Sequence, residues 1–191
     1  MNRQIKTLGA VLASALAISA LSASAVPAAE FHSAFHPQTI SGNSVVAHSF
    51  TTNAGLVTCK KAVLTGSTSA LTASSWTLYP DYSECIAFSF INVPIHENGC
   101  GYLLYATGTQ EIECPGSNKI EITFPFCTLT VGPQHLGSGV TFTNNAGKTD
   151  IIQNVDVTGE LDYNECGTFR TNGTYGGKTT WTGGSGSIWY E

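Results

Sequence analysis

The chain has 191 residues, 42% hydrophobic and only 11% charged, with eight basic residues against 13 acidic. That length suits one domain with a sizeable core, and the apolar and aromatic content excludes a disordered chain. A net charge of −5 with no cluster of Lys or Arg argues against nucleic acid or an anionic membrane as partner.

Residues 1–25 read as an export signal. Arg3 and Lys6 form the positive start, Leu8 to Ile18 the apolar run, and Ala23-Ser24-Ala25 the cleavage site. The run is short for a bilayer span. No cysteine follows it to carry a lipid, and no later stretch is long and apolar enough for membrane insertion. The mature chain is expected to begin at Val26 and to be secreted. Residues 26–42, punctuated by Pro27, Pro37 and Ser41-Gly42, read as an N-terminal arm. His32 and His36 in it are four apart, the spacing of a metal-binding helix face, but helix is disfavoured there and an exposed segment is the simpler reading.

From residue 43 to 191 the pattern predicts one disulfide-linked β-domain. Strands are expected at Ser44 to Thr51 and, after a turn at Asn53-Ala54-Gly55, at Leu56 to Thr65 with Val57, Cys59 and Val63 on one face. A Ser/Thr stretch leads to Trp76 to Pro80. Cys85 to Ile95 reads as an apolar strand buried on both faces. Asn98 to Cys127 reads as a double hairpin with turns near Gly108 and at Pro115 to Lys119. An odd loop at the second turn sets Cys114 against Ile120 and Glu113 against Glu121, which puts every apolar side chain on one face. Thr128 to Val131, Val140 to Thr143, Ile151 to Thr158, Leu161 to Tyr163, Thr174 to Thr182 and Ser187 to Tyr190 complete the set. No stretch after the leader has useful helical periodicity. Short strands at turn-signal spacing predict an all-β antiparallel sandwich of Greek-key or jelly-roll character.

Two strings occur twice in the same order. Phe50 to Gly55 matches Phe142 to Gly147, and Asp81 to Cys85 matches Asp162 to Cys166. They suggest two duplicated halves flanking the double hairpin. Six cysteines in an exported chain read as three disulfides. Fifteen arrangements exist. The repeat favours Cys59–Cys85, the Gly108 turn favours Cys100–Cys114, and Cys127–Cys166 remains. No CxxC pair or zinc-finger spacing occurs, so no metal or cofactor is expected.

Chemistry has few carriers here. No serine lies in a GxSxG turn, and every cysteine is expected to be oxidised. Glu113 opposite Glu121, with Glu111 alongside, is the arrangement a small secreted glycoside hydrolase would use; a solvated sheet face is the plainer reading. Tyr175, Trp181 and Trp189 crowd the C-terminal strands and would stack on sugar rings if they faced outward; as core they would close the end of the fold. Asn172-Gly173-Thr174 matches the glycosylation tripeptide but reads better as a tight hairpin turn.

Several spaced motifs carry a resemblance: Val57-Thr58-Cys59, Asn98 to Tyr102, Thr107-Gly108-Thr109, Ile112 to Pro115, Cys127 to Val131 before Pro133-Gln134, Asn172 to Gly176, and Gly186 to Trp189. Over nearly the whole mature length the chain resembles an uncharacterised family of small exported, cysteine-containing β-rich proteins of soil actinobacteria. The resemblance implies export, disulfides and a β-fold, and implies no activity. The expected function is a non-enzymatic extracellular binding or structural module, with a glycan or cell-surface component as partner. The alternatives are the glycoside hydrolase and a secreted inhibitor or surface interaction protein.

Overall fold

The computed structural model describes residues 28–52, 55–163 and 171–191. The expected leader, Asn53-Ala54 and Cys166 lie outside them. In chain order, β1 is Phe31–Ser33, β2 Thr39–Thr52, β3 Gly55–Ser67, β4 Thr72–Ala73, β5 Ser75–Ala87, β6 Ile91–Asn92, β7 Ile95–His96 and β8 Gly101–Tyr105. Then come β9 Thr109–Glu113, β10 Ile120–Phe124, β11 Cys127–Val131, β12 Gln134–Ser138, β13 Val140–Asn144, β14 Asp150–Tyr163, β15 Thr171–Gly183 and β16 Ile188–Tyr190. The described residues contain no helix, and every strand pairing among them is antiparallel.

The fold is therefore all-β and antiparallel, and its sheet curls into a ring. β2 pairs with β3, β3 with β5, β5 with β8, β8 with β9 and β9 with β12. β13, which continues β12 past Gly139, pairs with β14; β14 pairs with β15, and β15 returns to β2. Counting β12 and β13 as one, about eight strands close the barrel, the size whose interior side chains just fill. Ring neighbours follow one another in sequence, so the connectivity is a meander rather than the expected Greek key.

Small sheets cover both ends. At one end β1 lies between β16 and β4. Phe31 of β1 is fully buried, stacked on Trp76 at 4.7 Å and edge-on to Phe142 at 4.9 Å. The expected arm is thus drawn into the core from residue 31 onward. At the other end the β10–β11 hairpin, flanked by β7, closes over Phe50 and Ile112.

Alternation explains the interior, with one phase change. On β3, Val57 and Cys59 point in, Lys60 and Lys61 both face out, and Ala62 and Leu64 point in. On β5, Tyr82 points in, Ser83 and Glu84 face out, and Cys85 and Ala87 point in. Each strand takes one extra residue at the same level, a paired bulge that sharpens the coil. Glu84 adopts a φ of 54° there and forms an ion pair with Lys61. Strict alternation had put Val63 with Cys59; the bulge replaces it with Ala62 and Leu64.

Two disulfides match expectation. Cys59–Cys85 joins directly opposed residues of β3 and β5, and Cys100–Cys114 extends the β8–β9 ladder by one rung. Cys127 is also disulfide-bonded; Cys166, its expected partner, lies outside the described residues.

Three expectations are corrected. The double hairpin exists only in its first half: β9 pairs with β8 and β12, whereas β10 pairs with β11 and β7. The Cys114–Lys119 connection carries the chain from the ring to the cap instead of turning it back. The duplicated halves do not map onto equivalent strands. Phe50 and Phe142 lie at opposite ends of the ring, and Asp81–Cys85 sits in the third ring strand whereas Asp162-Tyr163 ends β14. Asn172-Gly173 is no turn either: both residues pair with β14 inside β15. The tight turn falls at Asn98-Gly99, with φ of 51° and 79°.

Candidate functional site

The ring interior is filled in layers. Phe31, Trp76, Phe142 and Trp181 occupy one end. Beside them Trp181 Nε1 donates to Thr179 Oγ1 at 3.0 Å, which donates to Gln153 Oε1 at 2.8 Å. Next comes a hydroxyl chain. Tyr82 donates to Tyr175 at 2.8 Å, Tyr82 and Tyr102 share a bond at 2.9 Å, and Tyr175 meets His48 Nδ1 at 2.8 Å. Satisfying all three orders the protons from Tyr102 through Tyr82 and Tyr175 to a neutral His48. Burial pushes the three phenols above their ordinary range. Burial also lowers His48 to about 4, partly offset by the Lys178 backbone. The groups are neutral and enclosed, and their hydrogen bonds brace the barrel from within. Below them an apolar cavity of about 50 Å³, lined by Phe50, Tyr102, Ile112, Ile120, Ile122 and Tyr175, separates the ring from its cap.

This packing corrects the aromatic platform. Trp181 is fully buried and Tyr175 is buried. Trp181 points inward because Gly42 lies opposite it on β2; a Cβ at Gly42 would stand 2.8 Å from the indole Cδ1. Trp189 remains partly exposed on β16, but His32 stacks on one of its faces at 5.2 Å. His32 also meets Thr72 Oγ1 at 3.3 Å, while His36 is exposed. Among the described residues no group of three His, Cys, Asp or Glu side chains is placed to hold a metal ion.

Glu113 and Glu121 are not the cross-strand partners the sequence led one to expect. Glu113 lies opposite Gly101 in the ring, and Glu121 lies between Thr130 and His96 in the cap. Glu111 instead accepts from or pairs with His135 Nδ1 at 3.0 Å, across the β9–β12 ladder.

The outer wall supplies a site that the sequence reading passed over. A groove of about 570 Å³ runs over β3, β5 and β8, lined by Thr65, Ser67, Ser69, Ser75, Thr77 and Tyr79. Thr65 and Tyr79 are direct cross-strand partners, so alternation puts their side chains on the same outer face. Tyr79 is 50% exposed, and its ring lies over Gly101, where a Cβ would stand 3.1 Å from Cδ1. No charged residue lines the groove. The signal in the sequence was the Ser/Thr run from Gly66 to Ser75 beside an aromatic strand, which reads as a linker until the sheet folds it against β5.

A scan against protein-family models finds no match, and comparisons with curated proteins and with solved structures find none either.

Proposed function

We propose that the chain is an exported, non-enzymatic extracellular binding module whose ligand is an uncharged carbohydrate held in the β3–β5–β8 groove. The observation that carries this reading is the groove's lining: hydroxyl side chains, with Trp76 and Leu103, around one half-exposed tyrosine, and no charge. Hydroxyls both donate and accept, which suits the paired hydroxyls of a sugar ring. A half-exposed aromatic ring offers an apolar face with a polar edge, which suits the ring's C–H surface. Neutrality of the lining disfavours uronic or sulfated glycans, because a bound anion would lose solvation without gaining a cation. Two disulfides fit the oxidising surroundings that export supplies.

The test is a glycan-array screen on the oxidised protein, followed by titration of any hit. Tyr79→Ala is expected to weaken binding at least about tenfold, a loss of roughly 1.4 kcal/mol. Trp189→Ala is expected to leave it unchanged. Binding that survived Tyr79→Ala and vanished in Trp189→Ala would move the site to β16. Glycan turnover lost in Glu113→Gln or Glu121→Gln would overturn the non-enzymatic reading.

A further inference from the structure

The end of the ring away from the groove carries the most exposed apolar side chains in the described chain. Phe88 and Phe90 stand in the β5–β6 turn, and Phe126 stands at the tip of the β10–β11 hairpin; Phe90 is 79% exposed and Phe126 91%. The strand that follows the first turn pairs with the strand that leads to the second, so both turns project from the same end. Ile95 pairs with Ile122, and Thr123 N donates to Pro94 O at 3.0 Å. Phe88 lies over the β2–β3 end, where a Cβ on Gly55 would stand 2.7 Å from its ring.

The turn itself is backbone-unfavourable for the residues it holds. Phe90 N donates to Ala87 O at 3.2 Å across central residues with φ of 50° at Phe88 and 69° at Ser89. Such a turn prefers Asn-Gly. Local preference therefore does not account for the half-exposed Phe88 at its first central position. Charge is missing as well: no Asp, Glu, Lys or Arg occurs from Cys85 to His96 or from Ile122 to Gly147.

We propose that this end docks shallowly on a lipid surface with uncharged, zwitterionic headgroups, with Phe90 and Phe126 entering the interfacial layer and Phe88 beside them. Aromatic rings favour that layer, and charge-free tips enter it without stripping an ion of water. The net charge of −5 selects against anionic lipid. Separate projecting turns suit a soft interface better than a second copy of the chain, which needs about 800 Å² of complementary surface per partner. The docking is peripheral and leaves the barrel outside the bilayer. It does not rest on the carbohydrate reading, because groove and tips lie at different ends of β5.

The test is flotation of the oxidised full chain with phosphatidylcholine vesicles at physiological salt. The wild type is expected to float, and addition of phosphatidylglycerol to weaken it. The double variant Phe90→Ser, Phe126→Ser is expected to bind about tenfold less, with an unchanged thermal midpoint because both side chains stand mostly in water. Phe126→Trp adds an independent reading: its emission shifts to the blue on phosphatidylcholine vesicles. A wild type that stays with the soluble fraction overturns the proposal, as does equal flotation of the folded double variant. A concentration-dependent dimer abolished by the double variant, without vesicle binding, assigns the tips to a second copy instead.

Discussion

His48 is a buried group whose protonation is displaced well below the ordinary imidazole range. Unfolded, its imidazole protonates near 6.5; folded, burial holds it neutral until about 4. Between those values the unfolded chain binds the extra proton, so stability declines as pH falls through that window. The full loss is about 3 kcal/mol, from the size of the displacement. Urea titrations at stepped pH from 7 to 4 are expected to show this decline, and His48→Gln to flatten it. Gln110 makes a second case. It is fully buried with neither amide atom partnered by protein. Gln110→Leu is expected to be neutral or stabilising by about 1 kcal/mol, read as a higher denaturant midpoint. Trp181→Ala, by contrast, is expected to cost about 3–5 kcal/mol and to leave glycan binding intact in whatever fraction folds.

Turns and bulges decide which side of each strand faces the interior. The paired bulge at Lys60-Lys61 and Ser83-Glu84 changes phase in β3 and β5 together, so Cys59 and Cys85 point inward in spite of the residues between. At the β5–β6 turn, Ser89→Gly removes the penalty of a left-handed conformation and is expected to stabilise by about 1 kcal/mol. Gly139 is the opposite case. It joins β12 to β13 with a φ of 155°, and a Cβ there would stand 2.1 Å from Asp156 O. Gly139→Ala is expected to cost about 3 kcal/mol in chemical denaturation, because the ring closes through that junction.

For the whole molecule, the ring and its caps should differ in stability. β2, β3, β5, β14 and β15 are the long strands, and each pairs along most of its length. Among the described residues the β10–β11 cap pairs with the ring ladder at Leu129↔Tyr163 and Thr130↔Asp162, and with β7 at two further pairs. Amide exchange is expected to be fastest in β10 and β7 and slowest in the five long strands. Cys59–Cys85 spans 26 residues of sequence. Its removal as Cys59→Ala, Cys85→Ala is expected to cost about 2–4 kcal/mol, measured as a fall in thermal midpoint.

Alternation in the sequence was enough for an all-β antiparallel chain, and turn spacing was enough for the first hairpin and its Cys100–Cys114 bridge. These are short-range properties: side chains alternate every residue, and a tight turn sets its own register. Tertiary structure decided the rest. Period two divides a strand into two faces without saying which lies inside a closed ring, so Trp181 could be read as a platform until Gly42 was found opposite it. Apolar patterning made β9 and β10 look like partners because both have one apolar face. Their true partners, β12 and β11 among them, come from long-range pairing that no local pattern specifies. That pairing gives Glu113 and Glu121 different cross-strand partners, and it sets Thr65 beside Thr77 and Tyr79, silent as a motif, along one groove.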